Sequence, residues 1–220
     1  MVGEPRVGVA SSPDGSLGSW TSSLAYDAAP RTISASFESA GVDKAGNVFV
    51  AFAETAHGYP SFGQASIRYV WSRSGGTAWS APVTVTAGAP IGTYDPTLVT
   101  TGIGRLAIAY FLGKPATPQP SWTLRLATVK GATSAHPVVT HTVIDDRIAY
   151  RDSADSMGGS CSGSGPLAGL QNGFVCNRAN DDFGLALDKH CRLVVVYPMV
   201  ATKAGTWVAT QRSAAPCSAL

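Results

Sequence analysis

Residues 36–54 read SFESAGVDKAGNVFVAFAE, from Ser36 to Glu54, and this stretch decides the fold. A first segment ends at Asp43. Asp43-Lys-Ala-Gly46 makes a tight turn, and a more apolar run, VFVAFAE, follows it. Two such runs joined by Asp and Gly are a β-hairpin signature. The unit recurs as YDPTLVTTGIGRLAIAYFLG, from Tyr94 to Gly113, and as DDFGLALDKHCRLVVVYP, from Asp181 to Pro198. Their turns fall at Thr101-Gly-Ile-Gly104 and Asp188-Lys-His-Cys191. A third strand follows each hairpin: SIRYVWS (66–72), TLRLATV (123–129) and TWVATQR (206–212). VTVTA and THTVID add a fourth to the first two units. Four antiparallel strands repeated along a chain are the pattern of a β-propeller blade. A sandwich would not put the turn at the same point of every unit. RVGVASSPDGSLGSW adds half a blade at the N-terminal end. The reading is all-β: residues 1–220 form a single propeller domain, a partial ring of about three to four blades. Closed rings need about four to eight blades, so the chain is expected to belong to a larger propeller or to complete its ring by self-association.

Composition agrees. Of 220 residues, 45% are hydrophobic and 14% charged, with 24 Gly and 14 Pro. That suits a turn-rich β protein better than a helical one. The net charge is +2, and Lys and Arg are scattered. No basic stripe of the kind nucleic acid needs is present, so that partner is excluded. No apolar run reaches the length that spans a bilayer. No nucleotide loop, zinc motif or other cofactor signature is found, so no cofactor is expected. Four Cys, at 161, 176, 191 and 217, form no CxxC pair. Two disulfides are expected, and with them an oxidising, secreted or extracellular location. Cys161–Cys176 would pin the Gly/Ser-rich loop over residues 145–180, and Cys191–Cys217 would staple the final blade.

Two turns carry a family signal. Ser72-Arg-Ser-Gly-Gly-Thr-Ala-Trp79 resembles the Asp box, S-x-D-x-G-x-x-W, with Ser74 in place of Asp. Ser12-Pro-Asp-Gly-Ser-Leu-Gly-Ser-Trp20 is similar, keeping Asp14 and adding one residue before Trp20. In such a box short polar side chains cap backbone N–H groups, Gly takes the positive φ, and Trp packs under the blade. The chain thus resembles the sialidase superfamily of Asp-box (BNR repeat) propellers. The motif argues for fold and lies on the face opposite the family's active site.

Blade topology places the starts of first strands and the ends of second strands around one mouth of the ring, where ligands bind. Glu38, Asp95, Asp181 and Asp182 fall at first-strand starts. Glu54, His57, Tyr59, Tyr110, Lys114 and Tyr197 fall near second-strand ends. The resemblance implies an Arg clamp on a substrate carboxylate, a Tyr nucleophile activated by Glu, and an Asp acid/base. On that basis the catalytic candidates are Glu54, Tyr197, Asp95 and Asp182, with Glu54 as the partner of the tyrosine. Arg68, Arg125, Arg151 and Tyr59 are candidates for substrate binding. Trp122, after the Pro-rich KPATPQPS, is expected to be exposed and to stack on a sugar ring. Two functions stay open: a secreted sialidase-like exo-glycosidase, or a non-catalytic propeller module that binds carbohydrate or protein. The first needs two or three Arg converging beside a Tyr–Glu pair within hydrogen-bond reach.

Overall fold

The computed structural model describes residues 5–12, 18–33, 38–56, 65–86, 92–114, 121–151, 184–199 and 205–212. These residues form strands and turns, with no helix among them, in four antiparallel sheets. The first sheet pairs β1 (Arg6–Ser11) with β2 (Thr21–Asp27). In the second, β3 (Thr32–Ile33) and β4 (Ser39–Val42) both pair with β5 (Val48–Thr55), followed by β6 (Ser66–Ser72) and β7 (Val83–Thr84). The third runs in order through β8 (Thr93–Gly102), β9 (Arg105–Lys114), β10 (Ser121–Lys130) and β11 (Val138–Arg151). The fourth holds β12 (Gly184–Leu187), β13 (Leu193–Met199) and β14 (Gly205–Thr210).

Side-chain alternation explains how the sheets stack. All of β5 after Val48 is buried, so both of its faces must be covered. Val50 and Phe52 join the core shared with the first sheet, around Val7, Ala25 and Ile33. Phe49, Ala51 and Ala53 join the larger core shared with the third sheet, around Leu106, Ile108 and Phe111, which continues to Val195 and Tyr197 of the fourth. Sequence neighbours in one strand therefore belong to two different sheet-to-sheet seams.

The repeated turns are built alike. Asp43 Oδ1 accepts the N–H groups of Ala45 (2.9 Å) and Asn47 (3.0 Å), with Gly46 at φ 78°. Asp188 Oδ1 accepts those of His190 (2.8 Å) and Arg192 (2.9 Å), with Cys191 at φ 58° where the first turn has glycine. In the third sheet Gly102 and Gly104 carry the turn without an aspartate, and Gly104 N–H donates to Asp43 Oδ2 at 2.8 Å. One carboxylate thus closes its own turn and ties two sheets together.

Around the first Asp-box-like turn, Ser72 Oγ accepts the N–H groups of Ser74 (3.2 Å) and Gly76 (3.0 Å). Ser74 Oγ accepts that of Ala78 (2.9 Å). Trp79 Nε1 donates to Gly76 O and to Ser23 Oγ of β2, both at 3.0 Å. The residues at 13–17 of the second box lie outside the described residues, and Trp20 is 59% exposed rather than packed under a sheet.

Two expectations are corrected. The segment expected to be loop from Asp145 onward is strand as far as Arg151, because Tyr150 and Arg151 pair with Trp122 and Ser121. Trp122, expected to be exposed for stacking, is completely buried in the larger core. The strand β10 carries it between β9 and the end of β11, where no sugar face can reach it.

Candidate functional site

Two clusters of charged side chains lie at the ends of the sheets opposite the Ser72–Trp79 turn. Glu54, next to the end of β5, has no exposed side-chain surface, and three groups meet its carboxylate. Tyr26 Oη of β2 donates to Oε2 at 2.7 Å. Arg31 Nη1 donates to Oε1 at 2.7 Å, and Arg68 Nη2 of β6 lies 3.3 Å from the same oxygen. Tyr26 also stacks on Phe52, with ring centroids 5.3 Å apart. Burial, then the hydrogen bond and charge of Glu54, push the Tyr26 pKa upward, so its hydroxyl keeps its proton at neutral pH. Arg31 is 46% exposed and Arg68 22%, so the cluster opens to solvent on the arginine side.

A second cluster lies between the third and fourth sheets. Tyr197 Oη donates to Asp145 Oδ2 at 2.5 Å. Arg147 holds both oxygens of Asp145, with Nη2 at 2.5 Å from Oδ2 and Nε at 3.0 Å from Oδ1, and its guanidinium lies 4.2 Å above the Trp207 ring. Burial and the Asp145 hydrogen bond push Tyr197 up to about 12. A β-bulge makes this cluster. Arg125 faces Val143 and Leu124 faces Asp145, so Ile144 is an extra residue, and a second register shift follows before Tyr150 pairs with Trp122. Asp145 turns to Tyr197, while Asp146 turns to Arg125 (2.6 Å) and Lys114 (3.5 Å).

The two clusters echo one another through register. Phe52 faces Arg68, Tyr110 faces Arg125, and Tyr197 faces Trp207 across their strand pairs. Each of these three sheets thus sets an aromatic residue beside a cation, and in the last one Arg147 of the neighbouring sheet supplies it.

The structure brings Glu54 and Arg68 together but does not join Glu54 to Tyr197. Tyr197 pairs with Asp145, and the tyrosine on Glu54 is Tyr26. Sequence reasoning missed Tyr26 and Asp145 because they reach their partners across sheet boundaries, and Arg31 because it reaches Glu54 from just before the short edge strand β3. Asp95 is buried at the start of β8, in a bulge, at φ 52°. Tyr59, Asp182, Cys161, Cys176, Cys217 and the side chain of Arg151 lie outside the described residues. Among the described residues no three His, Cys, Asp or Glu side chains gather as metal ligands.

Compared with known proteins, the chain matches no family model. No curated protein matches it either. Solved structures similar to it include a protein of unknown function from Dyadobacter fermentans, at 14% identity and TM-score 0.49, covering 80% of this chain and 51% of that one. Another is the K499G mutant of NanB sialidase from Streptococcus pneumoniae, at 13% identity and TM-score 0.48, covering 91% and 25%. The chain therefore spans about half of the first of these and a quarter of the second.

Proposed function

We propose that this chain is part of a sialidase-like β-propeller protein directed at glycans, with the Tyr26–Glu54–Arg31–Arg68 cluster as its exo-glycosidase site. The observation that carries the reading is the 2.7 Å Tyr26–Glu54 hydrogen bond flanked by two arginines at one end of the sheets. In this reading the four sheets are blades, and the cluster sits at the mouth of the ring. As Tyr26 Oη attacks the anomeric carbon, its proton passes to Glu54 Oε2. The glycosidic oxygen leaves with a proton from an Asp carboxyl, for which Asp95 and Asp182 are candidates. The exposed end of Arg31 is placed to take a substrate carboxylate. Secretion, disulfides at Cys161–Cys176 and Cys191–Cys217, and self-association to complete the ring belong to the same proposal. The test is turnover of a fluorogenic sialoside by the wild type and by Tyr26→Phe, Glu54→Gln and Tyr197→Phe. The reading predicts that the first two variants lose turnover and the third keeps it.

One observation favours a second reading. Both arginines already neutralise a fully buried carboxylate. The cluster would then staple two sheets of a non-catalytic module that binds carbohydrate or protein. That reading predicts no turnover, and lower melting temperatures for Tyr26→Phe and Glu54→Gln.

A further inference from the structure

We propose that Arg125 and Lys114 form a binding site for a tetrahedral oxyanion, a sulfate or phosphate group, and that Asp146 is its built-in competitor. The site is separate from the Tyr26–Glu54 cluster and does not depend on that reading. Arg125 is only 9% exposed, yet its Nε has no hydrogen-bond partner among the described residues. Nε and Nη2 lie on the same edge of a guanidinium, a fork made for two acceptor oxygens. Asp146 fills half of that fork: its Oδ1 lies 2.6 Å from Nη2. The same oxygen is 3.5 Å from Lys114 Nζ. One acceptor atom therefore serves two cations, and the buried Nε–H has no acceptor among the described residues.

A buried donor without a partner is costly, and a folded protein seldom leaves one where its own side chains could satisfy it. Asp146 falls short because the bulge sets its backbone and because it is 67% exposed, at the rim rather than inside. A ligand with three oxygens would meet Nε, Nη2 and Nζ at once. A carboxylate has two and leaves one donor unmet, so the donor count favours sulfate or phosphate. Two cations against one carboxylate leave a local charge of one positive unit, which attracts such a group. Asp146, at the rim, can rotate outward into solvent, and the buried Nε is uncovered as the ligand enters.

The experiment follows the Arg Nε–H signal by NMR while sodium sulfate replaces sodium chloride at constant ionic strength. It uses the wild type, Asp146→Asn and Lys114→Gln. Lys114 and Asp146 are exposed enough that both variants are expected to fold. The expected result is a saturable shift of the Arg125 signal, about tenfold tighter in Asp146→Asn and about tenfold weaker in Lys114→Gln. Acetate in the same titration binds about tenfold more weakly than sulfate. A sugar 6-sulfate and a sugar 6-phosphate are then compared; tighter saturation by either supports the site and names its source. An unmoved Arg125 signal, equal midpoints in all three proteins, acetate matching sulfate, or failure of both sugars would each overturn the proposal.

Discussion

Asp43 is the residue on which most local structure converges. Burial alone would raise its pKa, but hydrogen bonds from the Asn47 side chain and from the N–H groups of Gly104, Asn47 and Ala45 hold it below the ordinary carboxylate value. Its folded pKa is thus below its unfolded one. The stability it contributes is present above about pH 4 and is lost as pH falls through the folded value. Asp43→Ala leaves three N–H groups without their acceptor and should cost about 2–4 kcal/mol in urea unfolding near neutral pH. The difference from wild type should shrink on acidification; a constant difference would contradict this account. Tyr197 behaves in the opposite sense. Raised to about 12 by burial and by Asp145, it contributes stability that is complete below about pH 10 and lost as pH rises through the folded value. Tyr197→Phe should flatten the alkaline limb of the stability curve. Tyr26→Phe removes one hydroxyl and should cost about 1–2 kcal/mol. Glu54→Gln weakens two ion pairs and should cost about 3 kcal/mol, since Arg68 stays largely buried.

At the scale of elements, the hairpins were readable because their signals are local. Asp43 and Asp188 each organise a turn within four residues, and SIRYVWS coincides with β6. The Ser72–Trp79 turn is local in the same way, and it yields a prediction. Ser72→Ala removes the acceptor of two N–H groups and should lower stability by about 1–2 kcal/mol, while Ser74→Asp should keep or raise it. Thermal unfolding of both variants checks this, and equal losses would contradict the assignment of roles. Other features were not legible because they depend on register. The β11 bulge inserts Ile144 and so decides where Asp145 and Asp146 point, and nothing in VIDDR announces it. Trp122 follows a Pro-rich stretch that suggests exposure, yet ten-residue pairing with β9 buries it.

At the scale of the molecule, the decisive contacts lie between sheets. Tyr26 and Glu54 are 28 residues apart, and Asp145 and Tyr197 are 52 apart. No pattern within one strand predicts such pairs, which is why the sequence named Glu54 and Arg68 as candidates but not Tyr26 and Arg31, which meet Glu54 in the structure. Self-association to complete a ring predicts a native mass that is a multiple of 22.6 kDa. Native mass spectrometry checks this, and a monomer of that mass would contradict it. The central claim, a glycosidase site at Tyr26 and Glu54, is tested most directly by hydrolysis of a fluorogenic sialoside from about pH 4 to about pH 8. The account predicts turnover by the wild type that Tyr26→Phe abolishes while the variant remains folded. No turnover at high protein concentration, or undiminished turnover in Tyr26→Phe, would contradict it.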